Sequence, residues 1–284
     1  MRLRCGSRLI DLDPPIVMGV LNVTPDSFSD GGRYRTFAAA LAHAQAMIEA
    51  GAAIIDVGGE STRPGAASVP VDEELRRVLP VIERLASHTS VPISIDTTKP
   101  AVMRAAVAAG ASLINDVNAL RAPGALEAAA AGDAAVCLMH MQGDPRTMQA
   151  DPRYGDVVAE VAAFLDQRVA ACLEAGIARD RVMIDPGIGF GKRLEHNLAL
   201  LAHLDVLTGR ELPVLVGVSR KSMIGTLVGR PTDERLAGGV ALAALAVSSG
   251  AVVIRAHDVA PTIDAVKVAT AVRAARRSEG RMTT

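Results

Sequence analysis

Eight short apolar runs, each ending in polar residues, alternate along the chain with longer alanine-rich stretches of helical periodicity. Continuous apolar runs of this length are typical of parallel strands that helices cover on the outside. We predict strands at 16–23, 53–59, 92–97, 113–117, 135–140, 182–187, 213–219 and 252–258, and helices at 36–50, 71–87, 99–109, 124–131, 155–175, 194–205, 232–248 and 260–277. Eight consecutive βα units without a Pro/Ser-rich linker favour an α/β fold of the (β/α)8 TIM-barrel type over a doubly wound sheet.

One domain accounts for nearly the whole length of 284 residues. Residues 1–13 are predicted to form a short hairpin that caps the floor of the barrel, 14–280 form the barrel, and 281–284 form a tail. Four predicted helices end in a glycine just before the next strand, where a left-handed C-cap is easily adopted. These glycines are Gly51, Gly110, Gly176 and Gly250.

Composition argues against several classes of protein. The net charge is −1 and aromatic residues make up 2% of the chain, so we expect no nucleic-acid partner. The N-terminal residues carry no apolar targeting segment, and the uncharged run at 236–254 is interrupted by glycines, so we expect no membrane association. Three widely spaced cysteines predict reduced thiols rather than disulfides, which suits a cytoplasmic protein.

Polar residues stand at the C-terminal end of every predicted strand, where TIM barrels carry their active sites. A single aspartate at such a position is ordinarily a helix cap or a turn residue, but the full set favours a binding site. Asp96, Asn115 and Asp185 project from three different strands and suit a flat heterocycle that carries several N–H donors. Arg255 and His257 come from the last unit and neighbour Asn22 across the barrel closure, which suggests a phosphorylated substrate.

Motifs of other enzyme classes are missing from the sequence. The glycine-rich stretch at 187–192 lacks the Walker spacing and is not GxGxxG, so nucleotide binding is not supported. The chain contains no HExxH, Cys/His cluster or Gly-x-Ser-x-Gly elbow, which argues against zinc hydrolases and α/β-hydrolases.

Eight sequence blocks at these strand ends resemble the bacterial dihydropteroate synthase family. They are MGVLNVTPDSFSDGG at 18–32, DVGGESTRPG at 56–65, SIDT at 94–97, NDV at 115–117, LMHMQG at 138–143, DPGIGFGK at 185–192, SRKS at 219–222 and RAHD at 255–258. The resemblance implies condensation of 6-hydroxymethyl-7,8-dihydropterin diphosphate with 4-aminobenzoate, giving 7,8-dihydropteroate and diphosphate in folate biosynthesis. It also implies a pterin-binding barrel, a homodimer and a sulfonamide target.

The resemblance also implies roles for individual residues. Asp96, Asn115 and Asp185 would bind the amino-pyrimidine edge of the pterin, and Lys221 would reach its ring. Asn22, Arg255 and His257 would form the diphosphate and Mg²⁺ site, with Asn22 as the metal ligand and Arg255 facing the leaving group. The remaining residues expected to bind substrate are Phe28, Thr62, Arg63, Pro64, Met139, Phe190 and Ser222.

The implied mechanism is a loose, SN1-like displacement that needs no nucleophilic side chain. Its catalytic residues would be Asp96, Asp185, Lys221, Arg255 and His257. The glycine- and proline-containing segments 24–34 and 61–69 would act as lids over the aminobenzoate pocket. Two alternatives stay open: the pterin-binding domain of a corrinoid methyltransferase, which binds no diphosphate, and a catalytically silent pterin-binding paralogue.

Overall fold

The computed structural model describes residues 1–23, 32–61, 65, 68–145 and 147–282, without the side chains of 32–36 and 277–282. Eight parallel strands form its centre. They are β3 (Ile16–Asn22), β4 (Ile54–Gly58), β5 (Ile93–Asp96), β6 (Leu113–Asp116), β7 (Ala135–Met139), β8 (Val182–Asp185), β9 (Leu215–Gly217) and β10 (Val253–Ala256). Each strand lies within a predicted run, so the predicted strands are confirmed.

The strands follow one another around a barrel. The order in the sheet is β8-β7-β6-β5-β4-β3-β10-β9, and β10 pairs with β3 in parallel register. The ring closes between β8 and β9, where Ile184 forms a parallel bridge with Val214 and its N–H donates to the Pro213 carbonyl at 3.0 Å. The (β/α)8 barrel is therefore confirmed.

A hairpin of β1 (Arg2–Cys5) and β2 (Arg8–Asp11) precedes the barrel. Leu3, Cys5 and Leu12 are fully buried against the lowest inward-facing side chains of the strands. Those side chains belong to Met18, Ile54, Leu113, Ala135, Cys137, Met183, Leu215, Val252 and Val253. Burial of these apolar groups holds the hairpin against the N-terminal end of the barrel and closes the barrel floor.

The helices cover the outside of the barrel. They are α1 (Gly32–Glu49), α2 (Val71–Ala86), α3 (Pro100–Ala108), α4 (Ala125–Ala130), α5 (Val157–Glu174), α6 (Leu194–Ala202), α7 (Asp205–Thr208), α8 (Ser222–Val228), α9 (Leu236–Ser248) and α10 (Val259–Met282). The four predicted glycine C-caps all have positive φ, between 86° and 112°. The predicted helix at 194–205 is divided into α6 and α7, and α10 continues to Met282, into the segment predicted as a tail.

Helix α8 was not predicted. Its sequence, SMIGTLV, contains a glycine and three β-branched residues, which weakens intrinsic helix propensity. Burial of Met223 and Ile224 holds the segment in a helix despite this weakness.

All three cysteines, Cys5, Cys137 and Cys172, are buried and free. In the described residues no helix is long and apolar enough to cross a membrane.

Candidate active site

Strand geometry explains how polar residues reach the inside of the barrel. Side chains alternate between the two faces of a strand, so a residue two positions beyond an inward-facing floor residue also faces inward. The pairs of floor and polar residues are Ile54 with Asp56, Leu113 with Asn115, Met183 with Asp185, and Val253 with Arg255. The apolar floor and the polar upper layer are thus two consecutive layers of one barrel interior.

A pocket of about 640 Å³ opens above this polar layer. Ten of the predicted site residues line it: Asn22, Asp96, Asn115, Met139, Asp185, Phe190, Lys221, Ser222, Arg255 and His257. The predicted residues Phe28, Thr62, Arg63 and Pro64, and most of the two predicted lids, lie outside the described residues. The fold therefore brings together every described residue that the sequence assigned to the site.

Two buried carboxylates share one guanidinium at the bottom of the pocket. Arg255 donates from Nε to Asp56 Oδ2 at 2.6 Å and from Nη2 to Asp96 Oδ2 at 2.8 Å. Asn115 donates from Nδ2 to the same Asp56 oxygen at 3.0 Å. Arg255 was expected to face the leaving group, but its guanidinium is bound to Asp56 and to Asp96, the carboxylate expected to bind the pterin. Sequence reasoning gave Asp56 no role, although its position two residues after Ile54 indicates that it faces inward.

This cluster contains unsatisfied acceptors. Oδ1 of Asp96 and Oδ1 of Asp56 are buried and accept no hydrogen bond from the described residues. Burial raises the pKa of Asp96 to about 7, and Arg255 only partly opposes this shift because Asp56 adds a second negative charge. Of the two aspartates only Asp96 lines the pocket, and a ligand that donates an N–H group to its Oδ1 would favour the ionised carboxylate.

Asp185 faces the pocket from β8 and begins a glycine-rich turn. Its Oδ1 accepts a hydrogen bond from the Gly187 N–H at 2.7 Å, and burial raises its pKa. The φ of Gly187 is +67°, and a Cβ at this position would lie 1.9 Å from the His140 carbonyl oxygen. Only glycine fits there, which explains why glycine stands two residues after the aspartate.

Lys221 lies opposite this turn. Its Nζ stands 4.0 Å from the centre of the Phe190 ring, within the range of a cation–π interaction. Burial lowers the pKa of Lys221 to about 8, while the charge of Asp185 opposes the shift. The ammonium therefore lies over an aromatic face and is influenced by the charge of Asp185, and Ser222 follows it at the start of α8.

The β9 and β10 ends contribute further polar residues that the sequence did not assign. Ser219 Oγ lies 3.1 Å from His257 Nδ1 and accepts from the His257 backbone N–H at 3.2 Å. Arg220 forms a two-pronged ion pair with Asp258, at 3.0 and 2.6 Å. Five further residues line the pocket: Ser219, Arg220, Arg235, Thr232 and Met148. Of these, Ser219 and Arg220 stand in the SRKS block, which places them at the end of β9.

Asp116 shows that a strand-end aspartate need not face the pocket. It follows the inward-facing Asn115 by one position and accepts hydrogen bonds from the N–H groups of Asn118 and Leu120, at 2.7 and 2.8 Å. Its carboxylate therefore stabilises the loop after β6.

Within the described part of the chain, no group of three or more His, Cys, Asp or Glu residues could hold a metal ion. The pocket offers instead the half-buried carboxamide of Asn22, which could supply one oxygen ligand. Such a site suits a cation that takes most of its ligands from the substrate and from water.

Comparison with known proteins agrees with this geometry. The Pterin binding enzyme family matches residues 18–257. The dihydropteroate synthase of Escherichia coli (strain K12) is 53% identical over 279 residues, which cover 98% of this chain and 99% of that protein. Xanthomonas albilineans dihydropteroate synthase with 4-aminobenzoic acid is 56% identical, with a TM-score of 0.91 over 96% of this chain and 98% of that one. Yersinia pestis dihydropteroate synthase in a sulfonamide drug complex is 52% identical, with a TM-score of 0.92 over 96% of this chain and 100% of that one.

A (β/α)8 barrel with inward carboxylates around a polar pocket, matched over most of its length by this family, defines a pterin-binding enzyme. Sequence identities of 53% and 56% over nearly the whole length of two dihydropteroate synthases show which pterin-binding enzymes this chain is related to. The chain belongs to the dihydropteroate synthase family.

Proposed function

We propose that this chain condenses 6-hydroxymethyl-7,8-dihydropterin diphosphate with 4-aminobenzoate, forming 7,8-dihydropteroate and diphosphate in folate biosynthesis. The observation that carries the proposal is the pair of buried carboxylates that line the pocket beside its cations: Asp96, whose Oδ1 accepts no hydrogen bond from the described residues, and Asp185. Acceptors of this kind suit the N–H-rich edge of an amino-pyrimidine, whereas the cations suit a diphosphate.

The pterin edge would bind at the bottom of the pocket. Asp96 Oδ1 accepts no hydrogen bond from the described residues. Asn115 donates one N–H to Asp56, which directs the nitrogen side of its carboxamide away from the ligand. Asp185 would accept from the ring with the carboxylate that Gly187 already orients. Because these groups are already held in place before the ligand binds, binding costs little conformational entropy.

The displacement requires no covalent intermediate with the protein. The C–O bond between the pterin methylene and the diphosphate breaks with its electron pair leaving on the diphosphate, the amine nitrogen forms the new C–N bond, and the amine then releases one proton. Asp96 and Asp185 would offset positive charge that develops on the ring, and His257 would stabilise the departing diphosphate. In this proposal the side chains of the pocket contribute positioning and charge stabilisation.

An apolar wall suits the aromatic ring of 4-aminobenzoate. Val117, Met139, Met141 and Met148 form a small buried cluster at the mouth of the barrel, separate from the main core, and Phe190 packs against it. Methionine side chains adapt their shape to a flat ring and make favourable sulfur–aromatic contacts. Lys221 and Ser222 stand beside this wall and would bind the carboxylate of the substrate.

We also propose that Mg²⁺ accompanies the diphosphate. The oxygen-donor chemistry fits, because Mg²⁺ is usually held by one or two protein oxygens together with substrate phosphates and water. Asn22 would contribute its amide oxygen. The bound ion would neutralise part of the charge on the diphosphate.

The test of this function is formation of dihydropteroate from the two purified substrates. We expect product and diphosphate in equal amounts, no diphosphate release without 4-aminobenzoate, and loss of activity on chelation that added Mg²⁺ restores. Binding of a pterin without any condensation would favour the silent paralogue, and methyl transfer from a methylated pterin would favour the corrinoid-linked alternative.

Pterin affinity should depend on pH through Asp96. The pKa of its buried carboxyl is raised to about 7, and donor N–H groups bind the ionised form, so binding must displace a proton at lower pH. We expect affinity to fall as the pH drops below 7, by up to about tenfold per pH unit. Calorimetric titration with a pterin between pH 5.5 and 8 measures the slope, and Asp96→Asn should flatten it. An unchanged slope in that variant would assign the proton to another group.

A homodimer and a cytoplasmic location stay predictions. Leu245 on α9 and Val268 and Val272 on α10 are exposed apolar residues on two helices that pack together, and we propose that a second copy of the chain covers them. Light scattering should give twice the chain mass, and replacing Leu245 and Val268 together by lysine should reduce it to the mass of one chain.

A further inference from the structure

Lys192 is a buried cation that forms no ion pair within the described chain. Its side chain is 3% exposed, it does not line the pocket, and burial lowers its pKa to about 7. Burying an ammonium without a carboxylate partner is costly, so its hydrogen bonds must compensate.

The partners of Lys192 are three backbone carbonyls and one side-chain nitrogen, and they belong to two segments of the chain. Nζ donates to the carbonyls of Gly187 and Phe190, each at 3.0 Å, and to the His140 carbonyl at 3.2 Å. Nδ1 of His140 lies 2.9 Å from Nζ, so the three N–H groups of the ammonium are shared among four acceptors. Burial and the neighbouring ammonium lower the pKa of His140 to about 3, so its ring is neutral and Nδ1 can accept. Lys192 thus connects the end of β7 to both ends of the turn after β8.

The opposite side of that turn forms part of the pocket wall. Phe190 places its ring under Lys221, and a Cβ at Gly189 would lie 3.1 Å from Lys221 Cδ, so the turn and this lysine are in close contact. A small displacement of the turn would therefore move both the aromatic wall and the ammonium.

Three other side chains hold the same turn from outside. Asn197 accepts from the Gly189 N–H at 2.7 Å, Gln149 donates to the Gly189 carbonyl at 2.6 Å, and Tyr154 donates to the Gly191 carbonyl at 2.7 Å. Because these contacts do not depend on Lys192, we expect the fold to survive its replacement.

We propose that Lys192 is a positioning residue for the 4-aminobenzoate half of the pocket, acting through the turn that carries Phe190. This inference rests on the proposed function. It assigns to Lys192 the placement of Phe190 against Lys221, and no contact with substrate.

The experiment compares Lys192→Met with Arg181→Met. Arg181 is also a buried cation, and it donates to the carbonyls of Ala129 and Ala134, but it stands before β8, at the opposite end of that strand from the pocket. Lys192→Met should raise the KM for 4-aminobenzoate by about tenfold or more while changing the KM for the pterin diphosphate less than about threefold. Arg181→Met should lower the urea midpoint without altering the ratio of the two KM values.

Lys192→Gln provides a second variant, since its amide keeps two N–H donors. We expect its KM for 4-aminobenzoate to lie between those of the wild type and Lys192→Met. The inference is overturned if the KM values for both substrates rise equally, if neither changes in a folded variant, or if neither variant folds, because the role would then be purely structural. If the wild type makes no dihydropteroate, the proposed function itself fails.

Discussion

Replacing Arg255 by methionine is expected to lower the free energy of unfolding by about 3–5 kcal/mol, because it leaves two buried carboxylates without their shared cation. Asp56 is fully buried, Asp96 nearly so, and both bind this guanidinium within 2.8 Å. Urea unfolding at pH 8 measures the loss. A loss below about 1 kcal/mol would show that the interaction of Arg255 with the two aspartates contributes no more than an exposed ion pair.

The pH dependence of this deficit identifies its cause. Without Arg255, which lowers the pKa of Asp96 in the wild type, the pKa of that carboxyl in the folded chain should rise further, so the folded variant binds more protons than the unfolded one. Its stability should therefore decrease as the pH rises from 5 to 8, and the deficit should be larger at pH 8. Adding Asp56→Asn to the variant should recover part of the lost stability, because it removes one of the two buried carboxylates that have no cation beside them. A deficit that does not change with pH would point to lost packing of the arginine side chain instead.

Arg255→Met should also weaken binding of the bare pterin, because the guanidinium binds Asp96 rather than facing the leaving group as expected from the sequence. The sequence placed Arg255 correctly at the end of the last strand, since the strand period fixes which residues face inward. Which group the guanidinium binds depends on side-chain reach across the barrel, between residues 199 positions apart in sequence for Asp56. No local pattern encodes that contact.

Asn115 and Asp116 are neighbours on β6, and the sequence motif alone does not show which of them faces the pocket. Alternation along β6 predicts that only one of the two faces the pocket, and burial of Leu113 against the hairpin decides which one. The sequence blocks alone give both residues equal weight. Helix α8 illustrates a different limit, because its helical state depends on burial of Met223 and Ile224 rather than on local propensity.

Lys192 is a further residue to which the sequence gave no separate role. It stands in the DPGIGFGK block, where a lysine after glycines suggests phosphate contact, yet its ammonium points into the protein and binds backbone carbonyls. The positive φ of Gly187, Gly189 and Gly191 bends the turn so that its carbonyls converge on Nζ. Only the folded backbone shows this arrangement.

Replacing Asp185 by asparagine is expected to weaken pterin binding by about 1.5–3 kcal/mol, or roughly ten- to a hundredfold, because a charge-assisted hydrogen bond to the ring is lost. Asparagine is a better test than alanine. Its amide oxygen can still accept the Gly187 N–H, so the turn after β8 is kept, whereas alanine would leave that buried donor unsatisfied. Unfolding by urea should show little change for the asparagine variant.

Asp116→Asn is the matched control for this change. Asp116 is also a buried strand-end aspartate that accepts backbone hydrogen bonds, but it faces away from the pocket. Calorimetric titration with a pterin should give wild-type affinity for Asp116→Asn and the weakened affinity for Asp185→Asn. Equal affinities for the two variants would show that Asp185 only shapes the turn and that Asp96, with its unsatisfied Oδ1, holds the pterin edge without it.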